Sequence, residues 1–146
     1  MFKKTFCIFL IFLSSCGYNA IHTNKGVKNI NIDVIKTTGN IDINNIFIRN
    51  LDRYKNLNAE KNYKIEIITN YNKKTLTKNI AGNTTDYRLN LNVIFKILTK
   101  DSSNQINLTK RFDMKKENTT FQEEQYENIL IDDMVKLIIQ ELLIQL

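Results

Sequence analysis

The side chains that most often do chemistry in proteins are scarce in this chain of 146 residues. It has one histidine, His22, and two cysteines, Cys7 and Cys16. A zinc site or an activated nucleophile needs several such groups close together. The four glycines are not clustered, so they predict no phosphate-binding loop. The sequence therefore favours a protein that is not an enzyme and that holds neither a metal nor a cofactor.

Two pairs of neighbouring carboxylates, Glu123 with Glu124 and Asp132 with Asp133, fall in a segment with helical periodicity. Adjacent positions on a helix point about 100° apart, so the members of a pair do not face each other as a general acid and base would. We expect them to form a solvated helix face.

The N-terminus predicts a bacterial lipoprotein signal peptide over residues 1–15. Lys3 and Lys4 precede an apolar run over residues 6–13, which is too short for a membrane-spanning helix of roughly 20 residues. The following residues, LSSCG, resemble a lipobox, in which the cysteine thiol, here that of Cys16, is lipidated. An ordinary secretory cleavage site that leaves Cys16 as a spare thiol is the alternative.

The residue after Cys16 is Gly17 rather than Asp, which is similar to lipoproteins forwarded to the outer membrane. Residues 16–28 would then form a lipidated tether, and residues 29–146 a single folded domain. We therefore expect attachment to the periplasmic side of the outer membrane through the N-terminal lipid.

The clearest structural signal is a strand with period two after the turn Ala81-Gly82-Asn83. Every second residue on this strand is apolar: Tyr87, Leu89, Leu91, Val93, Phe95 and Ile97. Further strands are predicted over residues 29–37, 62–70, 74–80 and 105–114, the third as an exposed or edge strand. Helices are predicted over residues 41–57, with Asp42 as an acceptor near its start, and 121–146. The predicted fold class is α+β, a two-layer sandwich with a mostly antiparallel sheet of four to five strands and two helices on one face.

The C-terminal helix has more apolar residues than one buried face requires. Its predicted main stripe is Ile129, Leu130, Met134, Leu137, Ile138 and Leu142, and the residues outside it are Ile131, Val135, Ile139, Leu143 and Ile144. Either a protein partner covers the excess, or the helix is buried more completely in the core of its own domain.

The net charge of +6 suits an anionic partner without identifying one. A nucleic acid is disfavoured, because the Lys/Arg-Gly-Phe/Tyr motif of sheet-type RNA binders is absent and the signal peptide exports the chain.

Two short motifs resemble the LptE (RlpB) family of lipopolysaccharide-assembly lipoproteins. They are Cys16-Gly17-Tyr18 after the lipobox and the run GNTTDYRL over residues 82–89. The resemblance implies an outer-membrane lipoprotein that plugs the LptD β-barrel, helps that barrel to fold and helps to place lipopolysaccharide in the outer leaflet. A structural or adaptor lipoprotein of the periplasmic face, with no lipopolysaccharide role, is the alternative.

The family resemblance also points to residues near the turn as contacts for the barrel or for the lipid. Basic side chains there could meet lipid phosphates through charge-assisted hydrogen bonds. The candidate contact residues are Lys73, Lys74, Lys78, Gly82, Asn83 and Arg88; the alternative for the lysines is that they are ordinary solubilising charges.

Overall fold

In the computed structural model, which describes residues 29–99 and 102–146, four strands form one sheet and two helices pack against one of its faces. The strands are β1 (Ile30–Thr38), β2 (Lys61–Lys78), β3 (Thr84–Leu98) and β4 (Ser103–Lys115), and they lie side by side in chain order. Helix α1 (Ile41–Leu51) and a 3-10 turn (Asp52–Tyr54) connect β1 to β2, and α2 (Thr120–Gln145) follows β4. The predicted two-layer α+β fold is confirmed.

The sheet is mostly antiparallel, with one parallel pair. β3 runs antiparallel to both β2 and β4, whereas β1 runs parallel to β2, from Ile30 opposite Lys61 to Thr38 opposite Ile68. Parallel neighbours cannot be joined by a tight turn and need a crossover connection. Helix α1 supplies this crossover, which is why a helix separates the first two strands.

β2 is one strand of 18 residues, not the two strands predicted over residues 62–70 and 74–80. No glycine or proline interrupts it, and the residues between the predicted segments continue the pairing, with Tyr71 opposite Leu91 and Lys73 opposite Leu89. β1 accompanies β2 only as far as Ile68. The second half of β2 therefore has an open edge among the described strands, as the sequence suggested for this segment.

Gly39 determines where β1 leaves the sheet. Its φ angle is +103°, and a Cβ atom at this position would lie 1.9 Å from the Thr69 carbonyl oxygen, so only glycine fits. The next residue caps helix α1: the Asn40 side chain accepts a hydrogen bond from the Ile43 amide at 3.0 Å. Asp42, the predicted acceptor, lies in the first turn of the helix instead, where its charge still opposes the dipole.

Helix α1 and its 3-10 turn end at Tyr54, three residues before the predicted end of the helix. The backbone amide of Asn56 donates to the Asn31 side chain at 2.9 Å, which ties the connection back to β1. Asn31 in turn donates to the Asn62 side chain at 2.9 Å. These hydrogen bonds fix the path of the connection between the 3-10 turn and β2.

The core lies between the sheet and the two helices, and β3 and α2 contribute most of its residues. Leu89, Leu91, Val93 and Phe95 are fully buried, which confirms the predicted alternation. The Phe95 ring meets Phe47 of α1 edge to face, with 5.8 Å between the ring centroids. The first helix therefore packs against the centre of the sheet.

The buried face of α2 includes Met134, Ile138 and Leu142 of the predicted stripe but otherwise differs from it. Its buried residues are Ile131, Met134, Val135, Ile138, Ile139 and Leu142, whereas Ile129 is 58% exposed and Leu137 38% exposed. The helix is thus turned toward residues that were placed outside the main stripe. Of the apolar residues outside the predicted stripe, Ile131, Val135 and Ile139 are buried in the domain's own core. The exposed apolar residues of the helix include Ile129, Leu137 and Ile144.

Candidate functional site: a cationic patch on the open face of the sheet

The face of the sheet opposite the helices carries rows of polar side chains. The strand register sets Lys74, Arg88 and Asp113 side by side across β2, β3 and β4. The next row, toward the middle of the sheet, consists of Asn72, Asn90 and Arg111. Residues two apart on a strand share a face, so both rows belong to the same surface.

We define the cationic patch as Lys74, Arg88 and Arg111. Arg88 binds Asp113 through two hydrogen bonds, from Nε to Oδ1 at 2.8 Å and from Nη2 to Oδ2 at 3.0 Å. The hydrogen bond from Arg88 holds the pKa of Asp113 below its usual value. Asp113 therefore fixes the orientation of Arg88 and offsets its charge, whereas Lys74 and Arg111 supply the positive character of the patch.

A shallow groove of about 350 Å³ lies between the side chains of the patch. Its lining also includes Asn72, Thr75, Asn90 and the exposed Leu76. Arg111 donates from Nε to the Asn90 side chain at 3.2 Å. Guanidinium and ammonium groups side by side can donate charge-assisted hydrogen bonds to phosphate or carboxylate oxygens. The groove is therefore suited to an anionic ligand or to an acidic protein surface.

Lys73 lies on the opposite face of the sheet from Lys74 and does not join the patch. Its Nζ atom is 2.7 Å from Glu123 and 2.8 Å from Glu127 of α2, and 4.3 Å from the centroid of the Tyr87 ring. The Tyr71 hydroxyl donates to Glu127 at 2.5 Å. Burial alone would lower the pKa of Lys73, but its hydrogen bonds to the two carboxylates outweigh burial and raise that pKa. The structure therefore uses Lys73 to join the sheet to α2.

Lys78, Gly82 and Asn83 lie at the turn that joins β2 to β3. Gly82 has a φ of +82°, and its amide donates to the Asn79 carbonyl at 2.9 Å. The Asn83 amide donates to the Asn79 side chain at 2.9 Å, and the Asn79 amide donates to the Asn83 carbonyl at the same distance. This turn is fixed by its own hydrogen bonds and stands at the end of the hairpin, beyond the patch.

The neighbouring carboxylates of α2 have different surroundings. Asp132 and Asp133 both approach the Lys136 ammonium, at 2.6 and 3.4 Å, on the surface of the helix. Glu123, in contrast, faces the sheet and pairs with Lys73, with its side chain only 16% exposed. The expectation of a solvated face is therefore wrong for Glu123, because the helix begins above the polar half of β2.

Arg111 is the one member of the patch that the sequence did not indicate. It lies 23 residues after Arg88 in the chain, and the two meet on one surface because Asn90 pairs with Arg111 while Arg88 pairs with Asp113. The apolar alternation of β4 from Ile106 to Met114 is the sequence signal that could have placed Arg111 on the polar, open face of the sheet.

Several predictions fall outside the described residues: the signal peptide over residues 1–15, the lipidated Cys16, the tether over residues 16–28 and His22. Within residues 29–99 and 102–146, no group of three or more His, Cys, Asp or Glu side chains could hold a metal ion. Over the same ranges, none of the helices is long and apolar enough to cross a membrane.

The fold and the patch define a two-layer α+β domain with basic side chains on the open face of its sheet. The chain belongs to the LptE lipopolysaccharide-assembly family, whose model matches residues 27–146. Members of this family are lipoproteins associated with the outer membrane, and the family is not an enzymatic one. The resemblance found in the short sequence motifs is thus confirmed over the whole folded domain.

Solved structures of bacterial lipoproteins share the fold. Rare lipoprotein B from Shewanella oneidensis has a TM-score of 0.55 at 16% identity, with 77% of this chain and 92% of that chain covered. A minor lipoprotein from Acinetobacter baumannii has a TM-score of 0.55 at 19% identity, covering 82% of this chain and 95% of that one. A putative lipoprotein from Caulobacter crescentus has a TM-score of 0.54 at 8% identity, with coverages of 82% and 88%. No curated protein sequence matches the chain significantly.

Proposed function

We propose that this protein is an outer-membrane lipoprotein that acts as plug and assembly partner of an LptD-type β-barrel in the transport of lipopolysaccharide to the outer leaflet. The observation that carries the proposal is the match of the family model to residues 27–146, which include all the elements of the fold. In this function Cys16 carries the lipid anchor, and the folded domain binds the barrel.

The open face of the sheet supports this role. A protein enclosed by a barrel must present polar groups that the barrel wall or the transported lipid can pair with. Lys74, Arg88 and Arg111 present donors on one side of the domain, while the helices cover the other side. The patch is our candidate for direct contact with the phosphates of lipopolysaccharide or with acidic residues of the barrel.

The turn residues Lys78, Gly82 and Asn83 are the second candidate contact in this proposal. They lie beyond the patch at the end of the hairpin, and Lys78 pairs with Thr84 at the start of β3. Their rigid turn would keep its shape on binding, which reduces the entropy lost in the complex. Lys73 has a different role in this proposal, because its ammonium group is already held by Glu123 and Glu127.

Depletion of the protein in its native host tests the proposed function. We expect less correctly assembled barrel and less surface lipopolysaccharide, and we expect the tagged protein to co-purify with a large β-barrel. Recovery of the lipoprotein without a barrel, together with normal surface lipopolysaccharide, would support the structural or adaptor alternative instead.

The patch is tested separately with the double substitution Lys74→Gln and Arg111→Gln. Loss of two charge-assisted hydrogen bonds should weaken lipopolysaccharide binding by about tenfold or more. Lys96→Gln is the matched control, because Lys96 lies on the same face of β3 but eight residues from Arg88. Equal binding by the double variant and the control would exclude the patch as the lipid contact.

A further inference from the structure

The second half of β2 presents backbone hydrogen-bonding groups along an edge that no other described strand occupies. β1 ends at Thr38, opposite Ile68 of β2. On the β1 side of β2, the Lys61 amide donates to the Asn29 carbonyl, and the backbone groups of alternate residues point to the same side of a strand. Beyond the end of β1, the residues whose amides and carbonyls point outward are therefore Tyr71, Lys73 and Thr75.

This edge is regular enough to accept another strand. Edge strands are commonly protected from pairing by a proline, a bulge or a covering loop. Residues 69–75 contain no proline, and the register of β2 with β3 first shifts after Thr75. The stretch from Tyr71 to Thr75 extends over about 16 Å, close to the length of an ordinary strand. An extended polypeptide could therefore pair with it through main-chain hydrogen bonds.

An acidic cleft of about 230 Å³ lies beside this edge, on the helix side of the sheet. Its lining includes Tyr71 of the edge, Asp42 of α1, and Glu124 and Glu127 of α2. Glu127 already accepts the Tyr71 hydroxyl and the Lys73 ammonium group, whereas Asp42 and Glu124 are exposed to solvent. Three carboxylates beside one ammonium group leave the cleft with a net negative charge.

The sheet geometry connects the edge to the cleft. Residues paired across neighbouring strands point to the same face of a sheet. A residue of an added strand that pairs with Tyr71 would therefore point toward the cleft that Tyr71 lines. A lysine or arginine in that position could donate charge-assisted hydrogen bonds to Asp42 and Glu124. The cationic patch lies on the other face of the sheet, so it attracts ligands of the opposite charge.

We infer that the edge of β2 from Tyr71 to Thr75 binds an extended segment of a partner protein, which adds a strand to the sheet and places a lysine or arginine side chain in the acidic cleft. Main-chain hydrogen bonds hold the segment, and its basic side chain makes the contact specific. This inference goes beyond the proposed function, because it concerns a different surface and does not require the partner to be a barrel.

Photocrosslinking in living cells tests the contact on the full-length protein. A photoreactive amino acid replaces Asn128, an exposed residue of α2 that lines the cleft. Thr75→Pro then blocks the edge, because proline removes an amide that points outward and is tolerated at such positions of edge strands. Thr109→Pro is the matched control on the outer edge of β4. The Lys116 amide donates to the Thr85 carbonyl of the β3 side, so the odd-numbered Thr109 points its amide away from β3.

We expect an adduct with a partner protein, and its crosslinked peptide, mapped by mass spectrometry, should contain lysine or arginine. Thr75→Pro should reduce the adduct about tenfold, as the loss of one hydrogen bond and the strand pairing predicts, whereas Thr109→Pro should leave it unchanged. Glu124→Lys should also reduce it, through repulsion of the basic side chain. This exposed substitution keeps the test decisive if circular dichroism shows that Thr75→Pro does not fold.

Absence of a protein adduct at position 128, or an adduct only with lipid or with this chain itself, would overturn the inference. Equal adduct yields in folded Thr75→Pro and Thr109→Pro, or an unchanged yield in Glu124→Lys, would overturn it as well. Co-purification of a barrel in the same strains reports on the proposed function separately, so the two proposals can fail independently.

Discussion

The Lys73 ammonium group lies 2.7 Å from the Glu123 carboxylate and joins the second half of β2 to the first turn of the C-terminal helix. Glu127, one turn further along α2, approaches the same ammonium group at 2.8 Å and also accepts the Tyr71 hydroxyl. On this half of β2, Tyr71 and Lys73 occupy the positions on the helix-facing side that isoleucines occupy in the first half. The ion pairs therefore add polar contacts between the helix and the hairpin beside the apolar core.

Replacing Lys73 by Met should destabilise the domain without altering the cationic patch. The change leaves Glu123 and Glu127 partly buried without their cation, at a cost of about 1–3 kcal/mol. Chemical denaturation measures this cost as a lower free energy of unfolding. Lys74→Met, next in sequence but on the exposed face, is the control and should change stability by less than about 0.5 kcal/mol. A similar loss in both variants would contradict the structural role assigned to Lys73.

Stability should fall at high pH through the same cluster. Burial and the hydrogen bond to Glu127 raise the pKa of Tyr71 far above that of an ordinary phenol, and the pKa of Lys73 is raised as well. Groups with a raised pKa in the folded state stabilise it fully below their unfolded pKa values, about 10 for Tyr and Lys, and lose this contribution as the pH rises further. Urea unfolding between pH 8 and 11.5 should therefore show a steeper decline for the native sequence than for Tyr71→Phe. Parallel curves for the two proteins would argue against the raised pKa of Tyr71.

Gly39→Ala should be one of the most destabilising single substitutions in the chain. The added methyl group would lie 1.9 Å from the Thr69 carbonyl oxygen, and the φ of +103° is unfavourable for alanine, so we expect a loss of about 3 kcal/mol or more. Gly82→Ala shares the positive φ but meets no atom within 4 Å, and its cost should be about 1 kcal/mol. Thermal unfolding of both variants separates the steric contribution from the backbone contribution. Equal losses would mean that the close approach at Thr69 relaxes at little cost.

Leu91→Asp should unfold the domain, because Leu91 is fully buried at the centre of β3. An unpaired charge in the core costs several kcal/mol, a large part of the stability of an ordinary domain. Asn90→Asp tests the neighbouring position on the open face, where a carboxylate would remain within reach of the Arg111 guanidinium. Circular dichroism should show a folded Asn90 variant and an unfolded Leu91 variant. A folded Leu91→Asp protein would contradict the assignment of the two sheet faces.

Cys16→Ala should abolish lipidation. The lipid is expected on the thiol of Cys16, and the only other cysteine, Cys7, lies in the segment that the signal peptidase would remove. Labelling with radioactive palmitate should be lost, and the unprocessed precursor should accumulate. The Cys7→Ala variant is the control and should be labelled normally. Palmitate labelling that survives in Cys16→Ala would refute the lipobox assignment.

The periodicity of the sequence determined most of the fold. The alternation from Tyr87 to Ile97 fixed the buried face of β3, because a strand can bury only every second side chain. Helical periodicity located both helices, but it placed Ile129 and Leu137 of α2 in the core, where the structure has Ile131 and Val135. Apolar residues lie on most sides of this helix, so its rotation depends on which of them fit the sheet.

Only the tertiary structure shows which basic residues lie side by side on the same face of the sheet. Neighbouring residues of a strand point to opposite faces, so Lys73 and Lys74 must lie on different faces of the sheet. The second half of β2 is polar, however, and has no apolar alternation to show which of these faces the helices cover. Pairing with β3 settles this, since Lys73 lies opposite the buried Leu89 and Lys74 opposite Arg88. Arg111 joins the patch through the register of β4 with β3, and that register depends on turn geometry and core packing across the whole sheet.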